Sequence, residues 1–308
     1  MRKLPRVMAS SVIRGAQLGD SHGGLYLVDL DTGRVELTLD WNRPDIDFSG
    51  RGGDRGLRGI AFHGEQILVA GNSQLLVLDQ DFRILEIFAN PYLSHCHEIS
   101  VAADKVFLTA TGFDSVLILD LRKKRFIEGW HVGDIGGGIS LRNFDPSTRA
   151  GPAEGNLFHI NSVTGAGRRI YFSGLYTPGL MITDGSSLSM AVGLPPGTHN
   201  AQILEGGALY NDTAANRVCY SGNGTMTALA VPEFAPGEIV NADRFASTLA
   251  RPGFARGLCV LSPGLIAGGS SPSTISVYDL PSRTRVSQVN LSMDVRNAIH
   301  GLAVWPFS

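Results

Sequence analysis

From Arg58 onward the chain repeats one unit of four short apolar runs, each closed by turn residues. The clearest copy reads RGIAFHG, EQILVAGNS, QLLVLDQDF, RILEIFANP. The runs are too short for helices, and their Gly, Asn and Asp boundaries read as turns, so each unit is a four-stranded antiparallel sheet. Further copies begin at His97, His159, His199 and Arg256. In four of them nine residues separate the first residue of the first strand from the first apolar residue of the second: Arg58 to Ile67, His97 to Val106, His199 to Ala208, Arg256 to Leu265.

The ends of the chain complete the pattern. The sequence closes on one unpaired first strand, His300-Gly-Leu-Ala-Val-Trp, and opens on second, third and fourth strands, VMASSVI, GGLYLVDL and RVELTLDW. Joined, the fragments make a sixth sheet and leave no open edge. The expected fold is all-β: a six-bladed β-propeller of four-stranded blades, a single domain over residues 1–308, closed by its C-terminal strand on its N-terminal strands.

Composition agrees with a folded all-β chain. Of 308 residues, 43% are hydrophobic, 18% are charged and 38 are glycine. A formal net charge of -2 gives no pull toward nucleic acid or an anionic membrane surface. The basic start MRKLPRVMASSVIRG lacks an apolar signal core, and no run approaches the length that spans a bilayer. Three scattered cysteines do not make a disulfide framework. A cytoplasmic protein is the default expectation.

The long connections are unevenly placed. Residues 14–23, 42–56, 132–157 and 232–254 read as loops on the face where the first strands begin, whereas the opposite face has only short turns. Loops on a rigid scaffold are where function concentrates. The expected site is the channel mouth on that face.

The first strands open, in blade order, on His300, Arg58, His97, His159, His199 and Arg256. His97, His199 and His300 fall on alternate blades, the corners of a triangle. Three imidazoles there could hold one transition metal ion (Zn, Fe or Cu) and leave positions open for water or substrate. His159 would be a fourth ligand, or an acid or base beside the ion. The alternative is a polar channel whose histidines bond neighbouring blades. Arg58 and Arg256 would clamp a small anionic substrate through their planar forks; alternatively they neutralise Asp54, Asp212 or Glu98.

Asp212 ends a second strand where other blades carry Gly71, Ala110, Gly174 and Gly269, which marks it as a candidate catalytic carboxylate. Tyr176 lies in a turn that reaches the same mouth. Glu98 and Asn200 follow ring histidines and, by strand alternation, are expected to point sideways. Asp45, Asp47, Arg51, Asp54 and Arg55 populate a charged, glycine-rich loop. His22 and His95 are weaker candidates on the same face, and Cys96 reads as structural. GDIGGGIS (133–140) lacks the Lys-Ser/Thr ending of a phosphate loop.

The closed six-blade pattern resembles the NHL and SMP-30/gluconolactonase group of propellers over nearly the whole chain. Within that group, the histidine and arginine ring resembles the peptidyl-hydroxyglycine amidating lyases. That resemblance implies a zinc ion held by three histidines, with arginine and tyrosine beside it. His97, His199 and His300 match the ligands, and Arg58, Arg256 and Tyr176 match the flanking set; His159 is additional to the pattern.

Two functional readings follow. One is a metal-dependent enzyme, of lyase, hydrolase or oxygenase type, acting on a small anionic molecule at a histidine-ligated ion. The other is a non-catalytic propeller that binds a ligand or a protein partner on its loop-rich face, which a large exposed apolar patch there would favour.

Overall fold

The computed structural model describes residues 3–46, 48, 56–222, 224–243 and 249–307. The fold is an all-β six-bladed propeller built from four-stranded antiparallel blades. Residues 1–60, 213–219 and 227–308 form one compact unit, and residues 61–212 and 220–226 form a second.

In the first unit, the C-terminal strand Asn297–Val304 pairs with the N-terminal strand Arg6–Ile13, as the split sheet in the sequence requires. Val7 faces Val304, Ala9 faces Leu302 and Ser10 faces Gly301, and a bulge follows between Ser10 and Ser11. The Ser10 hydroxyl fills that irregularity. It donates to the Arg58 carbonyl and accepts from Gly301 N at 2.8 Å. Val7, Ala9, Ile275, Val277 and Ile299 are buried in one apolar cluster with the last full blade. Each valine and isoleucine among them contributes roughly 1.5–3 kcal/mol by leaving water.

The second unit holds the blade strands from Gln66–Ala70 to Gly207–Asp212. Two apolar clusters run through it. One centres on Leu68, Leu75, Val106 and Leu117, the other on Val116, Ile118, Ile160 and Phe172. Successive residues of a strand serve opposite faces: in Ser115–Asp120, Val116 and Ile118 join one cluster while Leu117 and Leu119 join the other. That is why this strand reads as an unbroken apolar run rather than an alternating one.

The blade that begins at His97 departs from the expected loop at 132–157. Its outer strand runs through Arg125–Ile135, turns at Gly136 and Gly137, both at positive φ, and returns as a fifth strand, Gly138–Phe144. GDIGGGIS is thus the tip of a hairpin. In 232–254, Pro236–Glu238 forms a short 3-10 turn, and Val240 bridges Asp294. Asp47, Arg51, Asp54 and Arg55 lie outside the described residues.

Candidate functional site: three anchored histidines

The ring positions do not all open their strands. His97 stands two residues before Ile99–Ala102 and His159 one before Ile160–Ala166, whereas His199 is the second residue of Thr198–Leu204. All three belong to the second unit. Their imidazoles pack pairwise, with His159 against both of the others. The His97 and His159 centroids are 5.3 Å apart, and those of His159 and His199 are 6.4 Å apart, both edge to face.

Each ring is anchored through Nδ1. His97 Nδ1 is 2.7 Å from the His95 carbonyl and 3.0 Å from the Thr111 hydroxyl. His159 Nδ1 is 2.9 Å from Asn156 Oδ1, and His199 Nδ1 is 3.1 Å from the Gly197 carbonyl. A carbonyl oxygen can only accept, so Nδ1 carries the hydrogen in all three. The neutral rings therefore keep their lone pairs on Nε2. His22 has the opposite tautomer, because its Nε2 contacts the Arg43 carbonyl at 3.3 Å.

The backbone beneath the rings is stitched by hydroxyl and amide groups. The buried Thr109 hydroxyl accepts from His97 N at 2.9 Å and Glu98 N at 3.0 Å. The Thr111 hydroxyl donates to the Ile160 carbonyl. Asn161 Nδ2 donates to the Thr198 carbonyl at 3.0 Å, and Ala201 N donates to Ser162 Oγ at 2.9 Å. These bonds hold the blades that begin at His97, His159 and His199 together at the histidines.

His159 has φ +53°, a left-handed conformation that a non-glycine residue holds only when its surroundings impose it. Asp114 imposes it here. Its Oδ2 accepts from Leu157 N and from Phe158 N at 3.1 Å, clamping the turn that delivers His159. Burial pushes the Asp114 carboxyl above its ordinary range, against the lowering effect of those backbone N–H groups. Gly174 sits against the same turn. A Cβ there would run into the Phe158 and His159 carbonyls, and one at Gly269 would meet the Arg256 carbonyl. This close approach explains the glycines at positions 174 and 269.

Asn200 also has positive φ (+51°), and the pairing of its strand slips between His199 and Gln202. The expected strand alternation is therefore broken at this point. Asn200 Nδ2 donates to Glu98 Oε1, and Asn200 Oδ1 accepts from Asn211 Nδ2 at 2.9 Å. Glu98 and Asn200 meet each other instead of pointing sideways. Sequence reasoning missed this network and the roles of Asp114 and Thr111. The one available signal was Asn200 itself, since asparagine tolerates the left-handed region.

Asp212 ends Gly207–Asp212, half-buried, with its Cα opposite Thr198. Tyr176 is 62% exposed; its backbone N donates to the Phe158 carbonyl at 3.2 Å, one residue from His159. Leu157, on the other side of that turn, is 60% exposed. His95 supplies its carbonyl to His97, and Cys96 is buried with its thiol directed to the Glu98 carbonyl at 3.8 Å.

The other ring residues belong to the first unit. Arg58 is buried (4% exposed), and its carbonyl is held by Ser10. His300 lies within Asn297–Val304 and is 8% exposed. Arg256 N donates to the Gly269 carbonyl at 3.0 Å, and its guanidinium lies 4.9 Å from the Phe254 ring.

Whether the histidines fit a metal can be tested on their spacing. Two imidazoles that share a tetrahedral zinc through Nε2, with Zn–N of about 2.0 Å, have centroids about 5 Å apart. His97 and His159 meet that spacing, and His159 and His199 exceed it by about 1 Å. Among the described residues, no group of three or more His, Cys, Asp or Glu side chains is arranged to hold a metal ion.

The fold defines the class, a six-bladed propeller. No protein-family model and no curated protein sequence matches the chain. Solved structures share the architecture at low identity. A chain of a nidogen/laminin complex aligns at TM-score 0.57 and 10% identity, covering 96% of this chain and 97% of that one. A protein of unknown function from Bacteroides caccae aligns at 0.54 and 12%, covering 97% and 98%. Catalytically inactive virginiamycin B lyase from Staphylococcus aureus aligns at 0.47 and 12%, covering 83% and 76%. At these identities the likeness concerns the fold alone. Among the described residues no helix is long and apolar enough to cross a membrane.

Proposed function

We propose that His97, His159 and His199 hold a transition metal ion, and that the protein is a metal-dependent enzyme acting on a small anionic molecule. One observation carries the reading: all three rings are anchored through Nδ1–H. Donation from Nδ1 to a carbonyl or amide oxygen is the outer-shell bond that orients a metal-ligating histidine and strengthens its Nε2. The third ring has to close by about 1 Å, a movement within the range of an imidazole rotation.

A bound ion would supply Lewis-acid polarisation of a substrate oxygen, or a lowered pKa for a bound water. Three neutral ligands would leave the charge of the ion undiminished, which favours an anionic substrate. The chain's own groups hold the centre in place: Asp114 fixes the His159 turn, Thr111 fixes His97, and Asn200 with Glu98 braces the backbone at His97 and His199. The exposed Leu157 and Tyr176 beside His159 also support a second reading, in which a ligand or protein partner with an apolar portion binds here without catalysis.

The test is calorimetric titration of metal-stripped, tag-free protein with Zn2+. The reading expects one saturable site, weakened at least tenfold in each of His97→Ala, His159→Ala and His199→Ala. Zinc binding unchanged in all three variants refutes it.

A further inference from the structure

We infer that a pocket in the second unit binds a free α-amino acid with an apolar side chain, whose carboxylate meets Arg125 and whose ammonium meets Asp145. The pocket has a volume of about 390 Å³, and Phe88, Asn90, Lys124, Arg125, Phe126 and Asp145 are among the residues that line it. Small-molecule sites run from roughly 300 to 1,000 Å³, so the space suits a ligand of this size. It lies between the outer strand Ile84–Ala89 of one blade and the start of the outer strand Arg125–Ile135 of the next. All of its residues belong to the second unit.

The floor and one wall are fixed before any ligand arrives. Phe88 and Phe126 form an apolar floor, held in one core cluster with Leu75, Leu117 and Leu119. The wall is the turn after Gly138–Phe144, latched to the preceding blade. Asn90 Nδ2 donates to the Pro146 carbonyl at 3.1 Å, and the Tyr92 hydroxyl donates to the Thr148 carbonyl at 3.1 Å. Inside the turn, Asp145 Oδ1 accepts from Ser147 Oγ at 2.7 Å and from Ser147 N at 2.9 Å. Both bonds fall on one oxygen, so Oδ2 keeps its capacity to accept. The Ser147 bonds, and after them the nearby Arg125 cation, hold the Asp145 carboxyl below its ordinary range. Asp145 is therefore a carboxylate at neutral pH.

Three charged side chains line the pocket. Lys124 is already paired, its Nζ 2.9 Å from Glu86 Oε2. Arg125 and Asp145 feel each other's charge, yet no ion pair joins them among the described residues. The pocket is thus balanced in charge, with one donor and one acceptor held apart at its edge. That arrangement disfavours a net anion or a net cation and fits a neutral molecule carrying both signs. An α-carboxylate matches the planar fork of a guanidinium, and an α-ammonium donates to a carboxylate. An apolar side chain between them covers Phe88 and Phe126 and leaves water as it does so. The inference is independent of the histidine site, and its test reads amino acid rather than metal.

The experiment is calorimetric titration of the full chain with leucine and with phenylalanine, against serine, N-acetyl-leucine and leucinamide. Saturable binding of leucine or phenylalanine is expected. Serine lacks the apolar side chain, N-acetyl-leucine the ammonium and leucinamide the carboxylate, so each should bind more weakly by about tenfold or more, the loss expected of one charge-assisted hydrogen bond or of the buried apolar group. Arg125→Gln should weaken leucine by a similar factor and bring it level with leucinamide. Asp145→Asn keeps the oxygen that accepts from Ser147, and should bring leucine level with N-acetyl-leucine. Phe88 and Phe126 belong to the core, so their replacement is left out. Absence of saturable binding, a control that binds as tightly as leucine, or variants that bind leucine like the parent would each overturn the inference.

Discussion

Asn200 donates a hydrogen bond to the Glu98 carboxylate across 102 residues of sequence, joining the segments that carry His199 and His97. A charge-assisted bond of this kind contributes roughly 1.5–3 kcal/mol. Glu98→Ala and Asn200→Ala should each cost about that much in urea unfolding, and the double variant should cost less than the sum of the two. Additive losses would show that the two side chains do not depend on each other.

Asp114 gives a pH signature. Its carboxyl is raised above the ordinary value of 3.8 because it is buried. The fold thus favours the protonated form, and that contribution to stability is complete below pH 3.8 and is lost as pH rises through the folded value. Asp114→Asn keeps an oxygen to accept from Leu157 N and Phe158 N but cannot ionise. Its stability relative to the parent should improve as pH rises above 4. Asp114→Ala strands two backbone donors and should cost about 1–3 kcal/mol at any pH. Parallel pH curves for the parent and the Asn variant would contradict this role.

Ser10 closes the seam between the two ends of the chain. Ser10→Ala leaves the Gly301 N–H and the Arg58 carbonyl without their hydroxyl partner in a fully buried position, at a cost of about 1–3 kcal/mol. Deletion of residues 297–308 removes the whole closing strand and should abolish cooperative unfolding. A truncated chain that melts like the parent would defeat the closure.

Cys96, Cys219 and Cys259 are buried thiols outside any disulfide. The thiol of Cys259 is pushed up to about 12 by burial, which suppresses the reactive thiolate. A thiol reagent at pH 8 should titrate no cysteine in the native protein and all three in denaturant. Rapid labelling of the native protein would show that the blades open.

The repeat and its closure were legible because turn residues punctuate every strand and the orphan ends match in register. The ring positions were legible for the same reason, through the nine-residue spacing. The strand limits near them were not. Arg58 and His97 stand two residues before their strands because the chain enters each blade in an irregular turn. The Glu98–Asn200 bond was hidden by an assumption of unbroken alternation, which the left-handed Asn200 and the slipped pairing after His199 defeat. The fifth strand Gly138–Phe144 was hidden by the glycines of its turn; its apolar residues Ile139, Leu141 and Phe144 are partly buried against the core clusters.

The central claim is that His97, His159 and His199 hold a transition metal. Elemental analysis of protein purified without an affinity tag tests it most directly. About one equivalent of a single transition metal is expected in the parent protein, less than a tenth of that in each of His97→Ala, His159→Ala and His199→Ala with the melting transition retained, and full content in His300→Ala. A parent protein that stays metal-free even after incubation with Zn2+, Fe2+ and Cu2+, or variants that keep full occupancy, would contradict the account.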